Sequence, residues 1–245
     1  MKRPTNQPRM VTEMSGRRVV VTGVGRGLGR KLAEIFIQRD DHVWGTSRNG
    51  DGPPGMRRHV SLELRDETSV IDAAADIASQ TTSIDLLINC AGTDSRSFGA
   101  SLSERGPFDL DADTFNAVVE VNATGPMLVT RHLLPLLRAG HDAMVVNISS
   151  QLGSIQLAPG MGTDTAYCVS KAALNMLSVK SAAELREDGV GVVMVHPGWV
   201  QTDMGGPSAS LTVDESGQAI VNTIDALSIA DTGRFMRWDG SDHPW

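Results

Sequence analysis

The chain has 245 residues and a mass of 26.1 kDa, and 40% of its residues are hydrophobic. This length and composition suit one α/β domain with a sizeable core. Lys and Arg total 22 against 29 acidic residues, a formal net charge of −7, so a nucleic-acid partner is not expected. No segment approaches the ~18 apolar residues of a membrane span, and no apolar signal run follows the basic amino-terminal residues. We therefore expect a cytoplasmic protein without a membrane partner.

The first 15 residues are polar and unpatterned, and we interpret residues 1–15 as a flexible arm before a single domain of residues 16–245. From there the chain alternates between strand and helix signals. Short β-branched runs predict strands at Arg18–Thr22, His42–Thr46, His59–Leu64, Ile84–Cys90, Ala143–Ser149, Val190–His196 and Arg234–Trp238. Segments of helical period predict helices at Leu28–Arg39, Thr68–Gln80, Asp113–Arg138, Thr165–Glu187 and Asp214–Ala230.

This alternation predicts an α/β fold, a single doubly wound Rossmann domain with a seven-stranded parallel sheet and helices on both faces. The runs LLIN and MVVNI are apolar at nearly every position, which is typical of strands buried on both faces. The polar segments Thr93–Asp113 and Leu152–Thr165 follow the fourth and fifth strands. They should therefore lie at the carboxyl edge of the sheet, where open α/β folds bind ligands.

A glycine-rich turn, T-G-V-G-R-G-L-G at residues 22–29, joins the first strand to the first helix. Glycines let the backbone approach a pyrophosphate, and the helix start offers free N–H groups to the anion. Such a string alone also fits an ordinary βα turn. Its position between the first strand and the first helix favours a dinucleotide site.

The end of the second strand bears on the choice of nicotinamide cofactor. Gly45-Thr46-Ser47-Arg48 has no carboxylate to bind a ribose 2′-hydroxyl, as an NAD site usually has. The guanidiniums of Arg26 and Arg48 could converge on a 2′-phosphate, which they can bind through paired hydrogen bonds. Alternatively, Arg48 is a solvated loop cation. We expect NADP(H) as the cofactor, with NAD(H) less favoured.

Further motifs follow in a characteristic order. They are Asn89-Cys90-Ala91-Gly92, Asn122, Asn147-Ile148-Ser149-Ser150, Tyr167-Cys168-Val169-Ser170-Lys171 and Pro197-Gly198-Trp199-Val200-Gln201-Thr202. Together with the glycine-rich turn, this set resembles the short-chain dehydrogenase/reductase family over nearly the whole chain. The segment WVQTDMGG and the ending at Trp245 further resemble the carbonyl reductases of its Sniffer and C-factor branch.

Three features depart from the family pattern. Cys90 stands where the family usually has a second Asn, and Glu63 stands where an Asp commonly contacts the adenine amino group. Ser150 and Tyr167 are separated by a longer loop than in most members. We expect that loop, Gly153–Thr165, to decide substrate choice.

The resemblance implies a catalytic set of Asn122, Ser150, Tyr167 and Lys171. Tyr167 would exchange a proton with the substrate oxygen. Lys171 shares a helix face with it and would lower the pKa of the phenol. Ser150 would hydrogen-bond the substrate carbonyl, with Ser149 as the competing candidate, and Asn122 would hold a water that connects Lys171 to solvent. For an isolated Tyr/Lys pair, a solvent-facing helix surface would be the simpler interpretation.

The resemblance also implies a cofactor site along the carboxyl edge of the sheet. Leu64 would cover the adenine ring, and Val200 and Thr202 would bind the carboxamide. The implied contacts are Gly23, Gly25, Arg26, Gly27, Leu28, Ser47, Arg48, Glu63, Leu64, Asn89, Ala91, Gly92, Tyr167, Lys171, Pro197, Gly198, Val200 and Thr202. No cysteine or histidine has the spacing of a metal site, so no metal is expected.

These features predict an NADP(H)-dependent oxidoreductase that interconverts an aldehyde or ketone with an alcohol. The alternative is a signalling or regulatory protein of the C-factor type that binds NADP(H) without essential turnover. Nucleotide-sugar epimerase or dehydratase chemistry would require a larger carboxyl-terminal substrate domain, so we do not favour it. The family implies a homodimer or homotetramer through long helices, for which Asp113–Arg138 and Thr165–Glu187 are the candidates.

Overall fold

Seven parallel strands form the centre of the molecule. The computed structural model describes residues 16–160 and 164–245, so the predicted arm lies outside the described residues. The strands are β1 (Arg18–Thr22), β2 (His42–Ser47), β3 (Arg58–Ser61), β4 (Leu86–Asn89), β5 (Met144–Ile148), β6 (Gly191–His196) and β7 (Phe235–Arg237). Their order in the sheet is β3-β2-β1-β4-β5-β6-β7, and every neighbouring pair is parallel. This confirms the predicted doubly wound sheet.

Helices cover both faces of this sheet. They are α1 (Gly27–Gln38), α2 (Glu67–Ala78), α3 (Ala112–Val119), α4 (Gly125–Arg138), α5 (Thr165–Leu185) and α6 (Val213–Asp225). Apolar residues of α2, α4 and α5 pack with one face, and those of α1 and α6 pack with the other. Consecutive residues of β1 show why both layers are needed, because Val20 belongs to the first core and Val21 to the second. Both side chains are fully buried, as strands covered on both faces require.

The predicted helix Asp113–Arg138 is divided in two. A π-helical turn, Glu120–Thr124, separates α3 from α4. Pro126 lies four residues after Asn122 and has no N–H, so an α-helical hydrogen bond to the Asn122 carbonyl cannot form and the helix widens there. The widened turn faces the interior, where Asn122 is completely buried.

Other predicted boundaries also shift, and the largest shifts are at the ends of β3 and α6, where a separately capped element follows. Strand β3 ends at Ser61, and Asp66 then caps α2 by accepting a hydrogen bond from the Thr68 N–H. Helix α6 ends at Asp225, and Ser228 caps a separate 3-10 turn over Ile229–Asp231.

A partly buried ion pair lies at the amino edge of the sheet. Asp85, only 7% exposed, accepts hydrogen bonds from the backbone N–H of Arg18 at 2.8 Å and from its guanidinium at 2.6 and 2.8 Å. It also accepts the N–H of His141 at 2.9 Å. These contacts hold the pKa of Asp85 below its usual value, against the opposing effect of burial. The pair lies at the opposite edge from the motif residues.

Candidate active site

The glycine-rich turn packs directly on the end of β4. Gly23 has φ +80°, and a Cβ placed there would lie 2.8 Å from the Ala91 Cα, so only glycine fits. The Thr22 hydroxyl accepts hydrogen bonds from the N–H groups of Cys90 at 3.0 Å and Ala91 at 3.1 Å. The carboxyl ends of β1 and β4 are thereby fixed to each other.

The amino terminus of α1 is open to an anion. Arg26 occupies the N-cap position and makes no side-chain cap hydrogen bond, and the first turn contains no acidic residue. A Cβ added to Gly27 would lie 3.4 Å from the Thr202 Cγ2, so the segment after β6 faces this turn. Uncapped N–H groups and a glycine cradle fit a dinucleotide pyrophosphate.

The end of β2 presents hydroxyl, imidazole and guanidinium groups. The Ser47 hydroxyl donates to the Asp51 carbonyl at 3.0 Å and lies 2.8 Å from the His59 Nε2. Because the hydroxyl has one hydrogen, His59 must supply its own Nε2–H to that contact. Arg48 is exposed, whereas the Arg26 guanidinium lies 2.7 Å from the Asp203 carboxylate. The guanidiniums of Arg26 and Arg48 therefore do not converge in this conformation.

The next two predicted adenine contacts lie beyond β3. The Glu63 carboxylate accepts the N–H of Arg65 at 3.1 Å. Leu64 is buried, and a Cβ added to Gly125 would lie 2.8 Å from the Leu64 Cβ. Leu64 is thus packed against the start of α4.

The Asn89 side chain is buried and hydrogen-bonds other buried or partly buried side chains. Its side-chain amide donates to the Asn147 Oδ1 at 2.8 Å and to the Thr130 hydroxyl at 3.3 Å. Asn147 in turn donates to the Ser178 hydroxyl at 2.8 Å. The side-chain amide nitrogen of Asn89 is thus engaged among β4, β5 and α4, so it does not face a cofactor in this conformation.

Asp164 fixes the start of the helix that carries Tyr167. Its carboxylate caps α5 by accepting the Tyr167 N–H at 3.0 Å. It also accepts the N–H of Ser95 at 3.1 Å and the Ser95 hydroxyl at 2.7 Å. The loop after β4 and the helix of the Tyr/Lys motif are therefore held together by one carboxylate.

Tyr167 and Lys171 share one face of α5, as the spacing predicts. The Lys171 Nζ lies 5.7 Å from the centre of the Tyr167 ring and donates to the Ile148 carbonyl at 2.8 Å. Lys171 is 4% exposed, and this burial lowers its pKa to about 8. Burial raises the pKa of Tyr167 to about 12, although hydrogen bonding to Ser150 opposes the rise. The expected lowering of the Tyr167 pKa by Lys171 is wrong for this structure, because loss of hydration dominates.

The two candidate serines occupy different surroundings. The Ser149 hydroxyl donates to the Asn175 Oδ1 at 2.6 Å and is 1% exposed. The Ser150 hydroxyl accepts the Leu152 N–H at 3.1 Å, which leaves its own hydrogen for another acceptor. Ser150 is the serine beside Tyr167.

Asn122 ties the loop after β4 to α5. Its side chain accepts the Thr93 N–H and donates to the Thr93 carbonyl, both at 2.8 Å. It also donates to the Ser170 hydroxyl at 2.9 Å, which itself donates to the Tyr167 carbonyl. A Cβ added to Gly92 would lie 3.4 Å from the Asn122 Oδ1 and 3.7 Å from the Lys171 Nζ, so both side chains border Gly92.

The segment after β6 lies at the carboxyl edge of the sheet, beside the glycine-rich turn. Gly198 has φ +85°, and a Cβ there would overlap the Leu211 side chain. The Pro197 carbonyl accepts the Ser216 hydroxyl at 2.7 Å, and the Thr202 hydroxyl accepts the Gly205 N–H at 3.1 Å. Pro197, Gly198, Val200 and Thr202 thus face the same edge of the sheet as the glycine-rich turn.

A family model described as short chain dehydrogenase matches residues 17–211. The chain belongs to the short-chain dehydrogenase family. It is similar to the NADPH-bound carbonyl reductase from chicken fatty liver, with 31% identity, a TM-score of 0.84 and coverage of 94% of this chain and 99% of that one. It is also similar to the carbonyl reductase Sniffer of D. melanogaster, with 28% identity, a TM-score of 0.83 and coverage of 94% of this chain and 100% of that one. Among curated proteins, the C-signal of Myxococcus xanthus is 40% identical over 162 residues, 66% of this chain and 93% of that protein.

Three residues outside the sequence-based set organise the site of this short-chain dehydrogenase. Thr22 joins the turn to β4, Asp164 caps α5, and Ser170 links Asn122 to Tyr167. An Asp three residues before a helical Tyr is an N-cap signal, so Asp164 was detectable from sequence. The roles of Thr22 and Ser170 depend on contacts between distant segments.

The dehydrogenase's long loop between Ser150 and Tyr167 is described except at residues 161–163. It contains short 3-10 turns at Gln151–Gly153 and Ala158–Gly160. The Gln156 N–H donates to the Trp245 carbonyl at 2.7 Å. The loop that was expected to decide substrate choice is therefore in contact with the last residue of the chain.

The described residues contain no group of His, Cys, Asp and Glu side chains that could hold a metal ion. Burial raises the pKa of the Cys90 thiol to about 12, despite the opposing charge of Lys171, so Cys90 stays a thiol. Within residues 16–160 and 164–245, none of the helices is both long and apolar enough to cross a membrane.

Proposed function

We propose that this dehydrogenase reduces an aldehyde or ketone with NADPH, a reaction reversible to alcohol oxidation. The observation that carries the proposal is the buried Lys171 ammonium beneath the Tyr167 ring, with Ser150 beside the phenol. A charged group is costly to bury, and this one lies 5.7 Å from the centre of the Tyr167 ring, where a positive charge favours a phenolate. The carbonyl reductases among the similar structures support the same reaction class.

The cofactor would lie along the carboxyl edge of the sheet. The glycine-rich turn would hold its pyrophosphate, with Ser47, Arg48 and Arg26 on the 2′-phosphate and the segment after β6 on the carboxamide. The chicken carbonyl reductase was solved with NADPH, which supports NADP(H) over NAD(H). When bound, the nicotinamide supplies the hydride.

The residues of the chain supply the proton. The substrate oxygen would accept hydrogen bonds from the Ser150 hydroxyl and the Tyr167 phenol, and Tyr167 would transfer its proton to that oxygen. The raised pKa keeps Tyr167 protonated at neutral pH, which is the state that reduction requires. Lys171 would stabilise the phenolate left behind.

Reprotonation of Tyr167 after the reaction would pass through the π-helical turn that contains Asn122. The Asn122 carbonyl lacks its α-helical donor because Pro126 has no N–H. A water held there would link Lys171 to solvent. The side chain of Asn122 keeps this turn against Thr93 and Ser170.

The test is Tyr167→Phe, which keeps the ring and removes the hydroxyl. We expect NADPH oxidation to fall by about 10³-fold while the Kd for NADPH, measured by fluorescence titration, is unchanged. The control is Cys168→Ser, the next residue on the same helix, which should retain activity. Carbonyl reduction by the Phe variant at the wild-type rate would contradict the proposed mechanism.

A second candidate follows from the similarity to the C-signal of Myxococcus xanthus. In that case the chain would bind NADP(H) as a ligand in a signalling or regulatory role. A panel of quinones, aldehydes and diketones distinguishes the two functions. Tight NADPH binding without oxidation by any member of the panel would favour the regulatory role.

We also propose that the protein is a homodimer or homotetramer through its long helices. Helix α5 exposes Val169 at 41% and Met176 at 61%, and the seven-residue spacing puts both on the same face of the helix. The mass in solution, measured by light scattering for the wild type and for Met176→Glu, tests this. A monomeric wild type would contradict it.

A further inference from the structure

An ion pair joins the two segments that flank the proposed cofactor site. Arg26, in the glycine-rich turn, places its guanidinium 2.7 Å from the Asp203 carboxylate, in the segment after β6. The neighbouring residues also meet, since a Cβ added to Gly27 would lie 3.4 Å from the Thr202 side chain. The pair therefore spans the entrance between the turn and the carboxamide segment.

Both charges of this pair are well hydrated. The side chains of Arg26 and Asp203 are 74% and 76% exposed. An exposed pair contributes little stability, because solvent screens the attraction and ordering two side chains costs entropy. A phosphate has a larger negative charge and more acceptor oxygens than one carboxylate, so it is the stronger partner for a guanidinium.

Arg26 is also the guanidinium that the proposed function assigns to the 2′-phosphate. We propose that Asp203 tunes cofactor preference by competing with the 2′-phosphate of NADP(H) for Arg26. NADP(H) displaces the carboxylate when it binds, whereas NAD(H), which lacks the phosphate, leaves the pair intact. Asp203 thus weakens NADP(H) binding selectively, and this inference rests on the proposed function.

A double-mutant cycle measures this competition without turnover. The wild type, Asp203→Asn, Arg26→Met and the double variant are titrated with NADP⁺ and NAD⁺ by calorimetry. We expect Asp203→Asn to lower the Kd for NADP⁺ by about two- to fivefold, which is the scale of an exposed ion pair. The Kd for NAD⁺ should not change, and in the Arg26→Met background the Asp203→Asn effect should disappear.

Asp214 provides the matched control. Its side chain is 77% exposed, close to that of Asp203, and its carboxylate lies 2.5 Å from the Lys31 ammonium of α1. Asp214→Asn therefore removes the same charge from an equally exposed carboxylate that is not paired with Arg26. We expect this variant to bind both cofactors as the wild type does. An equal gain in NADP⁺ affinity from Asp214→Asn would reduce the Asp203 effect to net charge and overturn the inference.

The remaining outcomes separate the inference from the proposed function. An unchanged NADP⁺ affinity in Asp203→Asn, an equal change for NAD⁺, or a change that persists without Arg26 would each overturn the role of Asp203 alone. A wild type that binds NAD⁺ as tightly as NADP⁺ would contradict the proposed cofactor preference, and the inference with it.

Discussion

The buried ammonium of Lys171 lies 5.7 Å from the centre of the Tyr167 ring and donates to the Ile148 carbonyl at 2.8 Å. In this arrangement burial lowers the pKa of Lys171 to about 8 and raises that of Tyr167 to about 12. Near neutral pH the phenol therefore keeps its proton while the lysine is charged. This is the pairing of states that proton donation to a carbonyl needs.

The first prediction concerns the pH dependence of reduction. As pH rises through about 8, Lys171 loses its proton and no longer stabilises the developing phenolate, while Tyr167 stays protonated. We expect kcat/KM for the carbonyl substrate, measured at saturating NADPH from pH 6 to 10, to fall across this value. Lys171→Arg, which stays charged, should lack the fall if it turns over. A wild-type profile that is flat to pH 10 would contradict the prediction.

The second prediction separates the two serines. Ser150→Ala removes the hydroxyl beside Tyr167, so we expect kcat to fall by about 10²-fold or more with little change in unfolding temperature. Ser149→Ala leaves the buried Asn175 Oδ1 without its donor, so it should lower the free energy of unfolding by about 1–3 kcal/mol and affect kcat less. Steady-state kinetics and urea unfolding of both variants distinguish them. The reverse pattern would assign the substrate contact to Ser149.

The third prediction concerns the ion pair at the amino edge of the sheet. Asp85→Asn should lower the free energy of unfolding by about 2 kcal/mol at pH 7, because it leaves partly buried donors of Arg18 poorly matched. The folded-state pKa of Asp85 is depressed, so its contribution is complete above the ordinary carboxyl pKa and is lost as pH falls through the folded value. The difference between wild type and variant should therefore shrink below about pH 4.

Asp188→Asn is the control for Asp85. Its ion pair with Arg138 lies at the surface, with side chains 33% and 51% exposed, so its loss should cost less than about 1 kcal/mol. Neither substitution should alter KM. Equal losses of stability from the two variants would show that burial of Asp85 does not strengthen its contacts.

The fourth prediction concerns acid stability. His196 is 4% exposed, and burial lowers its pKa to about 3. Between about pH 6.5 and 3 the unfolded chain binds a proton that the folded protein does not, so stability falls as pH falls. His196→Phe should flatten this fall in urea unfolding measured from pH 7 to 4. The exposed His141, changed to Gln, is the control, and an equally steep fall in His196→Phe would refute the assignment.

The sheet and the glycine-rich turn could be predicted from the sequence because their signals are local. The consecutive apolar residues of LLIN and MVVNI indicate strands covered on both faces, and the glycines indicate a close backbone approach. The order of the motifs around Tyr167 and Lys171 was sufficient to identify the family. Each of these signals lies within a few residues of the feature that it predicts.

The remaining features depend on residues distant in sequence. The hydrogen bond from Lys171 to Ile148 joins residues 23 positions apart, and the engagement of Asn89 with Asn147 spans 58. The direction of the Tyr167 pKa shift depends on how far the folded chain excludes water, which no motif records. The division of the helix at Asn122 is the intermediate case, since Pro126 is a local signal against a regular helix but does not specify a widened turn.

The triple engagement of Asp164 has a consequence for how this protein can change. Because Asp164 anchors Tyr167 to Ser95, the position of the helix start is set from the side of β4. Gly153 packs against Lys171, and its carbonyl accepts a hydrogen bond from Asn175, so the start of the loop belongs with α5. We expect the stretch from Ile155 to residue 163 to tolerate changes in length while Tyr167 stays in register. We expect grafting of this loop from a relative to change the substrate range of the protein and to leave its chemistry intact.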